Sequence, residues 1–364
     1  MKKEVLTQSI DDVIKIEENI GVQGRFKIEA IRPDGTVREL APWQDNLITD
    51  IGLNTMGGWQ YRDMPADPGS NYVSDDATRY CWVGSGSTPP QFTDTAPAQF
   101  VRATSNVIST AVSRSQPTDT VHYTGGKKVF QFNVGEATGN LTEVGLSNGR
   151  HTNITGTYKL YMFSRALIKN ANGDPITVTV LADEILQITY EHRIYLASND
   201  PVIVNLVDGA NTHELKMYPF GFGRSNTYRW LTGGYIGYET CWSTNSYGMG
   251  VMLQKNDATP LSQRVPGVTE EVSTMYIFMN GDQLGSAGIS YNNPTAVWGE
   301  RTRKYLCTLG VNTSPQNVRN IGGFFNNGNE IGHQWLGYIN PVIHKAFDET
   351  LRFEFTTTWG RYTP

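Results

Sequence analysis

Catalysis needs histidines, carboxylates, thiols or glycine-rich loops at working distances, and this sequence spaces them poorly. The histidines are His122, His151, His192, His213, His333 and His344. None forms the His-x-x-x-His or His-Glu-x-x-His pattern that brings two imidazoles to one metal. Cys81, Cys241 and Cys307 are odd in number and far apart, so buried free thiols are expected rather than a disulfide or a zinc knuckle. Asp183-Glu184 and Asp348-Glu349 are paired only in sequence. Adjacent residues of a strand point to opposite faces, so neither pair can flank one glycosidic bond. Both read as turns entering strands, and Glu270-Glu271 reads as a solvated loop. The run Gly84-Ser85-Gly86-Ser87-Thr88 resembles a phosphate loop, but no Lys-Ser/Thr follows and Pro89-Pro90 forbids the helix. The sequence therefore predicts no catalytic residue, no cofactor and no metal. A glycan hydrolase with carboxylates on distant loops is the remaining enzymatic alternative.

One stretch suits binding. Tyr218, Phe220, Phe222, Tyr228, Trp230, Tyr235, Tyr238, Trp242 and Tyr247 alternate with Gly, Asn and Arg229. Aromatic faces flanked by hydrogen-bonding groups can stack on sugar rings. Tyr228, Trp230, Tyr235 and Trp242 are the candidate contacts, either with a glycan or within a core or interface.

The elements that would position these residues are strands. The chain has 364 residues, 37 of them glycine, and 18% are charged; long helical patterns are scarce. That composition fits an all-β protein with many turns. Arg25 to Leu40 reads as a hairpin around Pro33-Asp34-Gly35. Asp45 or Asn46 is placed to cap a short helix that Gly57-Gly58 would stop. Residues 59–79 read as a loop and Tyr80–Gly84 as a strand. Further strands are expected at Val107–Val112, Val121–Tyr123, Lys128–Val134, Thr142–Leu146, Tyr158–Ile168, Ile176–Val180 and Ile185–Tyr195, with Gly125-Gly126 and Asn148-Gly149 at hairpin turns. The second half opens with Val202–Leu206 and closes with Leu351–Thr358.

The two halves echo each other. Ala182-Asp183-Glu184-Ile185-Leu186-Gln187-Ile188 reads against Phe347-Asp348-Glu349-Thr350-Leu351-Arg352-Phe353, an offset of 351 − 186 = 165. Phe163–Leu167 lies over Ile339–Ile343 at 339 − 163 = 176, and Val144-Gly145 over Ile321-Gly322 at 321 − 144 = 177. The difference of 176 − 165 = 11 falls in residues 169–180, around the turn sequence Asn-Ala-Asn-Gly-Asp-Pro. The expected architecture is an all-β chain of two tandem antiparallel β-sandwiches of jelly-roll type. Residues 1–22 form an N-terminal docking arm with one weak helical turn, 23–197 the first domain and 198–364 the second.

The motifs Asp45-Asn46-Leu47-Ile48-Thr49-Asp50-Ile51-Gly52-Leu53, Val83–Pro90 with Thr93-Asp94-Thr95, Glu143-Val144-Gly145-Leu146, Phe163-Ser164-Arg165-Ala166 and Val180–Leu186, in that order, resemble the structural and tail-fibre-like proteins of tailed bacteriophages. The likeness covers about residues 26–196. It implies a β-sandwich, a structural role without catalytic residues, a place in the virion, and trimers or a larger ring. Residues 197–364 depart from the pattern, and a receptor-binding protein that recognises a host surface glycan is the alternative. The expected partners are copies of the chain and other virion proteins. A net charge of −5 without Lys/Arg clusters points away from nucleic acid. No apolar run approaches the roughly 20 residues of a membrane span. Residues 1–8 lack a signal peptide's apolar core, so synthesis in the cytoplasm is expected.

Overall fold

The computed structural model describes residues 6–10, 13–55, 78–114, 121, 123–147, 162–196, 202–219, 250–260, 271–277, 289–292, 301–309, 316–326, 331–346 and 348–364. Most of these lie in strands. After β1 (Leu6–Ser9) come β2 (Val13–Ile31), β3 (Val37–Ile48), the one short helix among the described residues, α1 (Asp50–Thr55), then β4 (Tyr80–Gly84), β5 (Phe100–Thr104) and β6 (Val107–Arg114). Next are β7 (Tyr123–Phe132), β8 (Gly139–Leu141), β9 (Glu143–Ser147), β10 (Met162–Leu167), β11 (Val178–Val180) and β12 (Ile185–Leu196). The second half contributes β13 (Val202–Asp208), β14 (Asn211–Pro219), β15 (Gly250–Pro260), β16 (Glu271–Ile277), β17 (Ile289–Asn292), β18 (Thr302–Leu309), β19 (Gln316–Asn326), β20 (Ile331–Lys345) and β21 (Leu351–Arg361).

In the first half the strands run β5-β4-β9-β10-β3-β2-β12-β7-β6. The sheet curls at β3. Its Val37–Asn46 stretch pairs with β2, whereas Leu47 and Ile48 pair with β10. The end strands β5 and β6 are consecutive in the chain. Thr104 Oγ1 donates to Gln131 O and Gln131 N donates to Asn106 O, both at 2.9 Å, which draws the two ends together. The concave face is apolar: Phe26, Ile28, Phe130, Phe132, Leu186 and Ile188 are fully buried with Val83, Val144, Leu146 and Phe163. Alternation predicts this face, because every second residue of β12 turns inward.

Glycine placement corrects one expectation. Gly125-Gly126 does not turn a hairpin but lies inside β7. A Cβ on Gly125 would sit 1.8 Å from the carbonyl oxygen of His192, so β12 packs there only against a bare backbone. At Pro33-Asp34-Gly35 the hairpin forms as expected, with Gly35 at φ 82. The expected helix begins later than its sequence cap. β3 continues through Asp45 and Asn46 to Ile48, and Thr49 Oγ1 caps α1 by accepting from Gly52 N at 2.9 Å.

The pairings of the first half recur in the second. The antiparallel neighbours β2/β3, β3/β10, β10/β9, β9/β4 and β4/β5 return in order as β13/β14, β14/β20, β20/β19, β19/β15 and β15/β16. Likewise β6/β7 and β7/β12 return as β17/β18 and β18/β21. Each echoed segment falls on a corresponding strand: β9 with β19, β10 with β20, β12 with β21. The eleven extra residues of the first half hold β11, which pairs with β8.

The correspondence breaks at one seam. In the first half β12 pairs directly with β2, antiparallel, from Ile185 to Leu196. Its counterpart would join β21 to β13. Instead, β1 and the first part of β2 lie between them: β1 is parallel to β13, and Val13–Val22 of β2 is parallel to β21. The side-chain amide of Gln8 joins the two pieces, donating to Lys15 O and accepting from Lys15 N, both at 2.8 Å. The stretch expected to be an arm with a helical turn is therefore strand, and Ile14 is fully buried in the common core. The expected boundary at residue 22 falls inside β2. The sheets do not divide at residue 197 either, because β2 and β21 share one sheet.

Leu186 is fully buried and Leu181 is 50% exposed. Leu186→Ala is expected to lower unfolding stability by about 2–5 kcal/mol. Leu181→Ala, five positions earlier on the exposed turn, should change it by under about 0.5 kcal/mol. Urea titration of both variants checks this contrast, and equal losses would contradict the assignment of faces.

Candidate functional site

The polar residues of the first half converge on a buried ionic joint. Glu143 starts β9, a strand buried along its whole length. Its Oε1 accepts from Gln99 N at 2.7 Å and Gly86 N at 3.2 Å. Its Oε2 accepts from Arg165 Nε at 2.8 Å and Ala98 N at 3.2 Å. Arg165, opposite on β10, extends its fork to Asp94 Oδ2 at 2.7 Å and to Thr88 O at 2.9 Å. Burial alone would lower the arginine's proton affinity, but the bonds to Asp94 and Glu143 outweigh it and hold the guanidinium charged. The loop 85–99 is thus fixed near both ends and in its middle. The glycines that looked like a phosphate loop have another cause. A Cβ on Gly84 or Gly86 would come within 2.5 Å or 2.6 Å of Glu143 Oε1.

A second joint ties this loop to the end of the chain. Asp50, the first residue of α1, accepts from Arg361 Nη2 at 2.8 Å and Arg301 Nη2 at 2.9 Å through the same oxygen. Arg361 also donates to Ile48 O at 2.6 Å, and Trp359 Nε1 donates to Leu53 O at 2.8 Å. The Arg361 guanidinium lies 3.8 Å from the ring centre of Phe92, whose backbone oxygen accepts from Asp50 N at 2.8 Å. Phe92 remains 51% exposed at the tip of the loop. Bonds from Arg361 and then Arg301 hold the Asp50 carboxyl below its ordinary value, against a smaller opposing effect of burial.

Two further carboxylates serve the backbone in the same way. Glu184 Oε2 accepts from Leu181 N at 2.9 Å, and Glu349 Oε2 accepts from Ala346 N at 2.6 Å, the same three-residue reach before corresponding strands. The repeated Asp-Glu is therefore a turn device, as the sequence implies. Glu184 is also buried and takes both oxygens to Arg38 Nη2, at 2.7 and 3.0 Å. Burial pushes its proton affinity up, but Arg38 and the Leu181 amide reverse this, and the net shift is downward. On the outer face of β12, Glu191 is held by Ser113, by Arg193 at 2.9 Å and by Lys127 at 3.7 Å.

These carboxylates are committed to holding chain segments together. What the joints present outward is the fixed loop 85–99, with Phe92 beneath Arg361. Sequence reasoning missed Glu143, Arg165, Asp94 and Asp50 as one connected set, although each lies in a motif it singled out. Tyr228, Trp230, Tyr235 and Trp242 lie outside the described residues. Among the described histidines, the buried His192 packs edge-on to Phe163 at 5.9 Å, and His213 Nδ1 lies 2.8 Å from Pro341 O. Cys81 is a buried free thiol whose proton affinity burial raises steeply. Among the described residues, no group of three or more His, Cys, Asp or Glu could hold a metal, and no helix is long and apolar enough to cross a membrane. No family model, curated protein or solved structure matches the chain.

Two outcomes follow from the joints. Glu143→Gln should cost about 3–5 kcal/mol, because it strips the buried Arg165 of one of its two charge partners; combined with Arg165→Met, the loss should be smaller than the sum of the two single losses. Chemical denaturation of the variants checks this, and an additive double mutant would contradict a coupled pair. For Asp50, the folded proton affinity is lowered, so its stabilisation is present above the usual carboxylate range of about 3.9 and fades as pH falls through the lowered value. Asp50→Asn should therefore be less stable than wild type at about pH 6, with the gap closing toward about pH 2. A gap unchanged across that range would contradict the ion pairs.

Proposed function

We propose that this chain is a non-enzymatic structural protein of a tailed-bacteriophage virion, of the tail or head–tail appendage kind, that assembles with copies of itself. The observation that carries the reading is the convergence of the motifs. Five segments that resemble tail-fibre-like proteins, in the same order, supply Asp50, Gly86, Asp94, Glu143, Arg165 and Glu184, and these residues join one another or their neighbouring strands through ion pairs and hydrogen bonds. The resemblance thus rests on residues with a physical reason to occur together. Charges spent on locking loops suit a part whose task is to keep its shape in an assembly. In this reading the recurrent pairings reflect two tandem sandwich-like units of duplicated origin, the second completed by the N-terminal segment. The protein is made in the host cytoplasm and resides in the virion.

The test is direct. Phage particles purified from cells that make this chain should contain it in stoichiometric amount by mass spectrometry. An antibody to the exposed loop 85–99 should decorate one fixed location by electron microscopy. Particles of full infectivity that lack the chain would overturn the proposal. Saccharide turnover by the purified protein would replace it with the hydrolase, and saccharide affinity without turnover with the receptor-binding alternative.

A further inference from the structure

The seam of the second half is built to accept a strand, and the first half shows what it looks like without one. There, β12 and β2 close directly across twelve paired positions, Ile185/Ile31 to Leu196/Ile20. In the second half the equivalent strands β21 and β13 are held apart, and β1 with residues 13–22 of β2 fills the gap. Ten positions of the insert pair with β21, from Val13/Arg352 to Val22/Arg361, and four with β13, from Leu6/Val204 to Ser9/Val207. Both pairings are parallel. Parallel neighbours are never joined by a tight turn, so the insert reaches this place from a distance. It is tied to its seat through the whole first half of the chain, and residues 197–201, Ala-Ser-Asn-Asp-Pro, are the covalent passage from β12 to β13.

We propose that this seam is an intermolecular seat. In the assembled state, residues 6–22 of one copy fill the gap between β13 and β21 of the next. The occupant is fixed by the structure, since every copy carries the one segment whose register, edge and buried side chain Ile14 already match. The contacts made within one chain and between two chains are the same, since the bonds of Asp50 to Arg361 and of Trp359 to Leu53 pass to the neighbouring copy together with the strand pairing. In a closed ring each copy's seam is filled by another's segment, so no seam is left with an unpaired edge. The successive transfer of one segment to the next copy closes into a ring or continues as a stack. This inference rests on the proposal that the chain assembles with itself, and it names the element that does so.

The test uses the full chain. Thr7 and Asn205 face each other across the β1/β13 pair. Neighbouring strands lie about 4.8 Å apart, within disulfide reach. Two variants, Thr7→Cys and Asn205→Cys, are co-expressed with different affinity tags, purified through both tags and oxidised, with each single variant alone as control. The Thr7→Cys/Asn205→Cys double variant is oxidised in parallel, and light scattering follows the oligomeric state. The expected result is a shift of the two singly substituted chains to a covalent dimer, with the 7–205 link found by peptide mapping, and a covalent multimer from the double variant. A link confined within single chains of the double variant, with none between the co-expressed chains, would overturn exchange. An oligomer by light scattering in that case leaves the assembly reading standing, whereas a monomer that also makes no self-contact in particles removes it. Absence of the 7–205 link in both arms would overturn the seat itself.

Discussion

A β-strand at the edge of a sheet carries a row of peptide groups that must find partners, and the architecture of this chain follows from how it meets that demand. The first half meets it by curling until β2 and β12 pair and the ends β5 and β6 meet through residues 105–106. The second half repeats the same succession of pairings but reaches its last strand with a gap. β1 and residues 13–22 of β2 fill it, and so these strands complete a unit otherwise made from the second half. The parallel pairing of Ile14 beside Phe353, both fully buried, shows that the insertion is part of the core.

Charge then fixes what the backbone leaves free. Loops between strands of a curled sheet would otherwise wander, since they bury little apolar surface. Glu143 and Arg165 hold loop 85–99, Asp50 holds the end of β21 against α1, and Glu184 holds the turn before β12. Buried charge is costly to desolvate, and Glu143, Arg165 and Glu184 offset that cost with several directed bonds. The result is a surface whose loops are fixed by the interior. That quality suits docking against other proteins, and it is the physical support for the proposed place in a particle.

Much of this was legible in the sequence, for identifiable reasons. Alternation gave β12 and β21 their inward faces, because side chains of a strand alternate whatever its partners are. Asp-Glu before each of those strands marked a turn, and Glu184 and Glu349 turn out to make the same backbone bond. The order and spacing of the echo marked corresponding strands. What alternation cannot give is the partner. Val13 and Ile14, with Ile10 and Glu17, read as a weak helical turn as readily as a strand, and nothing local says that Val13 and Ile14 lie beside β21, more than three hundred residues away. Gly125-Gly126 read as a turn because glycine is commonest there, and its cause is the backbone of β12. The ionic joint was invisible for a similar reason: Glu143 and Arg165 stand on different strands, and Asp94 on a loop whose path only the joint determines.

The central claim is that residues 13–22 form one cooperative unit with β21. Amide hydrogen exchange, read by mass spectrometry on the full-length protein, measures this directly. The account predicts that amides of residues 13–22 exchange as slowly as those of 351–361, and that both are released together as denaturant is added. Exchange of residues 13–22 at the rate of an unstructured peptide, with 351–361 still protected, would contradict it.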